Sequence, residues 1–228
     1  MKFLFVLALI VACIQITEAS VLGIDLSAEF LKVAAVKSGN PFHIVIDEQA
    51  KRKIPVAVAL DDGERHFGNN AVGFAIRKPY DTFLWAHRLL GQTTDSPRLK
   101  ELQGIYPYEY TSIPGRGNAV GIKTKDGVIF SPEELVAMSL QHVRKIAKDD
   151  GNGDVKDAVI TIPAWFSQKE RQAVLDAAEL AGLSVMALIN DNAATAITYG
   201  IDRQYSPNAT HTAMIVDMGS AGDRKSVV

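Results

Sequence analysis

The sequence predicts an α/β fold, and three observations predict it. From residue 131 onward, helical segments that open on capping residues alternate with short apolar runs rich in β-branched residues. Two of those helices carry the Ser-x-x-Glu capping box, Ser131 with Glu134 and Ser167 with Glu170. Before them, closely spaced strand-like runs with turn residues between them predict a mixed sheet.

The elements follow in order. VLGID and FLKVAAV read as two strands, or as a hairpin around residues 26–29. FHIVID (42–47) is a third strand and IPVAVAL (54–60) a fourth, with DDG (61–63) turning into a short strand at RHFG. NNAVGFAIRK reads as a helix capped by Asn69 or Asn70 and ended before Pro79. TFLWAHRLLG reads as a short helix closed by Gly91. Residues 92–130 hold several Gly and Pro and read as strands and turns, a peripheral subdomain rather than a hydrophobic centre.

SPEELVAMSLQHVRKIAKDDGNG is the strongest helix, with Pro132 in its first turn and a stripe of Leu135, Met138, His142 or Val143, and Ile146. DAVITIP (157–163) follows as a buried strand. The helix QKERQAVLDAAELAG ends at Gly182, SVMALI is a strand, and DNAATAITYG is a capped helix with Gly200 at its end. THTAMIVDMGS (210–220) is again a strand that ends in small residues.

With 228 residues the chain can build one sizeable core, or one and a half smaller lobes. Lys+Arg 24 nearly balance Asp+Glu 26, and scattered basic residues argue against a nucleic-acid surface. Lys2, the apolar FLFVLALIVACI and small residues at Thr17 and Ala19 predict a secretory signal peptide over residues 1–19. A retained membrane anchor is the alternative, but the run is short for a span and no later segment is long enough. Cys13 is the single cysteine, so the mature chain would have neither disulfides nor thiolate metal sites. Asn208-Ala209-Thr210 is a glycosylation acceptor, and behind a signal peptide it predicts a surface loop. The carboxyl end carries no retrieval signal of the KDEL kind.

Most motifs that suggest chemistry reduce to local structure. GRGNAVG (115–121) lacks a preceding strand in a βαβ unit and reads as a loop. No P-loop and no GxSxG is present. DDGNGD (149–154) lacks the calcium loop's glycine and its twelfth-position acid, and reads as a helix-ending turn. Five histidines form no metal pair at helical spacing. His142 reads as a half-buried face residue, and His87 as packing or as a residue approaching a cleft.

One weak echo remains. GIDLS (23–27) and VDMGS (216–220) each end an apolar strand on an aspartate followed by small residues. Two such turns facing one another could offer backbone N–H groups to phosphates and carboxylates to a hydrated cation. A plain turn is the alternative for each. Asp191, between a strand and a helix, reads as a cap and also as a carboxylate where ligands collect in α/β folds.

Taken together, these segments resemble the actin-like (ribonuclease H-like) ATPase domain of the seventy-kilodalton heat-shock chaperone family. GIDLSAEFLKVA is similar to its first phosphate motif, DAVITIPAWFSQKERQAVLDAAELAGLSVMALINDNAATAITYG to its connecting stretch, and VDMGS to the start of its second phosphate motif. The long stretch is highly specific; the short ones alone are not. INDNAATAITYG, with Asp191-Asn192 for the usual Glu-Pro, and DMGS for Asp-Leu-Gly-Gly, resemble the large endoplasmic-reticulum branch of the family.

That resemblance implies the first lobe of the domain over 20–206, with a peripheral subdomain at about 55–130 and the second lobe begun at 207–228. It implies ATP and Mg2+, with K+ as a further cation. Asp25 would sit near the metal through water, with Leu26, Ser27, Ala28 and Glu29 around the phosphates. Asp217, Gly219 and Ser220 would lie on the second phosphate side, Asp191 near the metal-bound water, and Asp217, like Asp25 and Asp191, would reach the metal through water. His87 falls where ordinary members place a lysine on the transferred phosphate. Ser27-Ala28-Glu29 replaces Gly-Thr-Thr, which removes the two threonine hydroxyls and adds a negative charge. Both changes point to ATP binding with slow or altered hydrolysis.

The resemblance further implies a lumenal chaperone that exchanges ATP and ADP, pairs with the main lumenal heat-shock chaperone, and holds unfolded clients through a domain outside this sequence. From about residue 221 the text departs from the family pattern, which reads as a truncated product or a fragment whose last strand lacks sheet partners. The competing readings are a binding module without catalysis, a sugar kinase of the same superfold, and a non-functional product.

Overall fold

The computed structural model describes residues 20–27, 29–37, 40–201, 203–206, 208, 210–219 and 222–227. The expected signal peptide, Ala28 and Ser220 lie outside the described residues. The architecture is mixed α/β, as the alternation predicts. β1 (Ser20–Leu26), β2 (Phe30–Lys37) and β3 (Asn40–Val45) form an antiparallel meander. On the other side of β1, β11 (Asp157–Ile162) and β12 (Ser184–Asn190) add in parallel, giving the order β12-β11-β1-β2-β3. The short β4 (Ile54–Pro55) also pairs with β2 and completes six strands.

Alternation decides which face of this sheet is dry. Leu22 and Ile24 of β1 lie level with Ala158 and Ile160 of β11, and these four are buried, as are Leu26 and Ile162 at the strand ends. Helices α3 (Pro132–Ala147) and α4 (Gln168–Leu180) join them in one continuous core, through residues such as Leu140, Val143, Val174 and Ala178. The intervening positions, Gly23 with Val159 and Asp25 with Thr161, form the opposite, half-exposed face. A slip of one residue between β1 and β11 would exchange the two sets, so core burial fixes where Asp25 points.

Both expected capping boxes are present. The Glu134 carboxylate accepts from the Ser131 backbone N–H at 2.7 Å, while Ser131 Oγ accepts from Glu134 N. The Glu170 carboxylate accepts from Ser167 N at 2.6 Å. Gly182 ends the second of these helices with φ +73°. α5 (Asp191–Ile201) follows β12 directly.

Residues 55–130 form two further three-stranded sheets. One joins β5 (Ala57–Asp61), β6 (Glu64–Phe67) and β7 (Thr82–Leu84); the other joins β8 (Glu109–Ser112), β9 (Val120–Lys123) and β10 (Ile129–Phe130). The Asp62-Gly63 turn of the β5–β6 hairpin has φ of 48° and 85°, the conformation Asp-Gly favours. Phe83, Leu89, Leu99, Tyr108 and Ile122 are buried and belong to the same core as the main sheet.

Three helical expectations fail for identifiable reasons. TFLWAHRLLG splits into β7 and a 3-10 turn over Ala86–Leu89, because the Trp85 N–H is taken by the Val56 carbonyl at 2.8 Å and Trp85 itself turns left-handed (φ 55°). The helix expected over 69–78 is α1 (Gly68–Phe74). Neither asparagine caps it. Asn69 Nδ2 donates to Asp47 at 2.9 Å, and Asn70 Oδ1 accepts from Gln49 at 2.9 Å. Within 92–130 a helix was missed, α2 (Pro97–Gln103), whose Ser96 cap accepts from Leu99 N at 3.1 Å. Its Ser-Pro start repeats that of α3 at residues 131–132.

The tail also departs from expectation. β13 (Met214–Gly219) is paired antiparallel with β14 (Gly222–Val227), from Met214↔Val227 to Gly219↔Gly222. The final strand therefore has a partner, supplied by the residues that read as divergent.

Candidate functional site

The parallel order β12-β11-β1 brings three strand ends to one edge of the main sheet. In register, Asp25 lies beside Thr161, and Thr161 beside Ile189, so Asp191 sits two residues beyond that row. With strands spaced about 4.8 Å and a rise of about 3.3 Å per residue, the Cα atoms of Asp25 and Asp191 lie roughly 10–12 Å apart. Ligands of open α/β sheets collect at such carboxyl ends.

Asp25 is the organised centre of this edge. Its Oδ1 accepts a hydrogen bond from Thr161 Oγ1 at 2.8 Å. Its Oδ2 accepts from the Lys32 ammonium at 2.8 Å. Ser27 Oγ lies 3.2 Å from Oδ2 and 3.0 Å from the Phe30 carbonyl, so its single proton is shared between them. The β1–β2 hairpin explains Lys32, since Asp25 and Lys32 are cross-strand partners. Asp25 keeps 32% of its side chain exposed and Lys32 48%, so the pair faces solvent rather than the core.

The Ser27 N–H donates to the Phe30 carbonyl at 3.2 Å and closes the turn. The Glu29 carbonyl accepts from Val56 N at 3.0 Å, which ties the turn to the strand that follows β4. Leu26 differs from its expected place: it is 5% exposed, in the core beneath the site, so only its backbone can face a ligand.

Asp191 opens α5, with Oδ1 accepting from Asn192 N at 2.8 Å and its carbonyl accepting from Thr195 Oγ1 at 3.1 Å. The neighbouring Asn190 lies within 3.4 Å of the Arg171 guanidinium, whose Nε also donates to the Phe166 carbonyl. His87 is 6% exposed in the 3-10 turn after Trp85, a position that offers little surface to a ligand. Asp217 and Gly219 lie in β13, where Asp217 is level with Arg224 and Gly219 ends the strand. The hairpin β13–β14 is a sheet of its own and is not hydrogen-bonded to the main one. Asn208 is exposed between α5 and β13.

Among the described residues no group of three or more His, Cys, Asp or Glu side chains could hold a metal. The donors around Asp25 fit a different kind of binding. One carboxylate with two nearby hydroxyls supplies the hard oxygen ligands and water anchors that Mg2+ accepts when a phosphate provides the remaining ligands. Sequence reasoning missed Thr161 and Lys32. The signal for Lys32 was the hairpin itself, because pairing across its turn sets the two residues side by side. Thr161 carried no local signal.

A family model described as Hsp70 protein matches residues 21–228. The chain belongs to the Hsp70 family. Its topology is that of the first lobe of the family's actin-like ATPase domain, and the match includes the strand β14. The chain is 43% identical over 204 residues to hypoxia up-regulated protein 1 of Xenopus laevis, covering 89% of this chain and 32% of the relative. It is 42% identical over 211 residues to the Homo sapiens protein of that name, covering 92% and 21%. The Danio rerio protein is 40% identical over 215 residues, covering 94% and 22%. The chain thus spans between a fifth and a third of the length of these Hsp70-family relatives.

Proposed function

We propose that this Hsp70-family chain is the nucleotide-binding first lobe of a chaperone of the endoplasmic-reticulum lumen. The observation that carries the reading is the Asp25 carboxylate, fixed by Thr161 at the carboxyl edge of the sheet and reached by the β1–β2 turn. The amino-terminal apolar run and the exposed acceptor Asn208 support the lumenal assignment. Among the described residues no helix is long and apolar enough to cross a membrane.

In this reading ATP is bound with Mg2+, and K+ is a further cation of the site. Asp25 and Asp191 anchor waters of the metal. The β1–β2 turn would face the phosphates, and the Asp217 end of β13 would supply the second side. Bound magnesium would neutralise charge on the β- and γ-phosphates. Thr161 keeps the Asp25 carboxylate aimed, and the Asp191 carboxylate is held by the first turn of α5. Burial of His87 leaves the transferred phosphate without the exposed ammonium that ordinary members provide there, so turnover is slow relative to binding. ATP/ADP exchange, pairing with the main lumenal heat-shock chaperone and retention of unfolded clients belong to the same proposal.

Calorimetric titration of the chain with ATP and MgCl2 tests it. Binding that weakens on Asp25→Asn supports the reading. Absence of binding by the folded chain leaves a partner-binding module as the better account.

A further inference from the structure

The site holds a cation of its own. The two oxygens of Asp25 are used differently. Oδ1 is taken by the Thr161 hydroxyl, and Oδ2 is held by the Lys32 ammonium and shared with Ser27. Any metal-bound water that reaches Asp25 from the cleft therefore meets Lys32 at the same oxygen. Lys32 is not part of the core, with 48% of its side chain exposed, and its register opposite Asp25 puts it on the cleft face of the sheet. Of the other basic groups, Lys53 Nζ lies 5.7 Å from the centre of the Phe30 ring at the end of the same turn. Arg171 is bonded to the Phe166 carbonyl and lies against Asn190, and His87 is 6% exposed.

We infer that Lys32 is a resident counter-cation for the nucleotide's phosphates, parked on Asp25, which makes polyphosphate binding tolerant of magnesium loss. The inference rests on the nucleotide reading above. An ammonium is a compact charge with three rotatable donors on a flexible stem. When a hydrated metal takes Oδ2, the stem lets Nζ turn from Asp25 to a phosphate oxygen. When no metal is present, Nζ turns its remaining N–H donors from beside Oδ2 to a phosphate oxygen.

The test uses the full 228-residue chain, fluorescently labelled ATP, and paired titrations in excess MgCl2 and in EDTA. The wild-type chain is expected to lose no more than about tenfold in affinity on chelation. Lys32→Met, which keeps the apolar stem, is expected to lose at least a hundredfold, and Lys32→Arg to restore most of the difference. In MgCl2 Lys32→Met is expected to lose less affinity than in EDTA, because the metal then carries part of the phosphates' charge. Acylation of surface lysines with mass mapping gives a second readout: ATP in EDTA should protect Lys32. An equal loss on chelation in wild type and Lys32→Met, with Lys32 unprotected, overturns the inference and leaves the nucleotide reading standing. Failure of the wild-type chain to bind in either buffer overturns both.

Discussion

Thr161 donates its hydroxyl proton to Asp25 across 136 residues of sequence, at 2.8 Å, from the neighbouring parallel strand. The bond joins the first strand of the fold to the strand that follows the strongest helix, so the site exists only once that parallel pairing has formed. Thr161→Val keeps the β-branched shape and removes the donor. Hydrogen bonds to charged groups are worth about 1.5–3 kcal/mol, so affinity for ATP with magnesium should fall about tenfold or more. Circular dichroism should be unchanged. Unaltered affinity in a titration would show that Asp25 needs no such support.

Gly91 closes the segment after the 3-10 turn with φ +66°, and a Cβ there would lie 2.9 Å from the Glu170 backbone nitrogen and 2.9 Å from the Lys169 carbonyl carbon. Both neighbours are backbone atoms in the first turn of α4, which cannot swing aside. Gly91→Ala adds left-handed strain of about 1–3 kcal/mol to that clash. A clear drop in melting temperature is expected. A melting temperature equal to wild type would mean that the turn relaxes freely.

Burial pulls His142 below the usual histidine pKa, and Lys145 adds to the effect, while Glu48 and Asp47 oppose it. Its ring stacks on Phe67 at 4.7 Å between centroids. Above about pH 6.5 both the folded and the unfolded chain hold it neutral. Below that the unfolded chain takes up the proton first, so the stability it contributes is lost as pH falls through the depressed folded pKa. Urea midpoints should drop between pH 7.5 and 5.5. His142→Phe, which retains the stacking, should drop less; an identical slope would assign the loss to other groups.

Ser131 caps the helix that fills the centre of the core, with Glu134 returning the bond. Ser131→Ala should lower stability by about 0.5–2 kcal/mol in urea melts. Because the Ser131–Glu134 bonds close within the helix itself, ATP affinity at saturating folded fraction should stay at the wild-type value. A large loss of affinity would reveal coupling between this helix and the cleft.

Much of the architecture was legible along the chain because its signals are local. Alternation in β1 and β11, the capping boxes at 131–134 and 167–170, and Gly182 each depend on residues within one turn or one strand. The elements that misled did so where distant partners outbid local preference. Val56 captured the Trp85 N–H and drew 82–84 into a sheet, and Asp47 and Gln49 captured the asparagines that should have capped α1. The candidate site was legible by half. Asp25 and Asp191 announced themselves as acids at strand ends, whereas nothing near Thr161 marks it as a partner.

By itself, the sequence determined the strands of the main sheet and the capped helices from residue 131 on, and that Asp25 lies near the end of a strand beside a tight hairpin. Tertiary structure alone decided what that carboxylate meets. Pairing register is set by the burial of Ile24 against Ile160, and the same register delivers Thr161 to one oxygen of Asp25 while the hairpin delivers Lys32 to the other. Periodicity is a property of neighbours along the chain; contact between strands is chosen by the core they share.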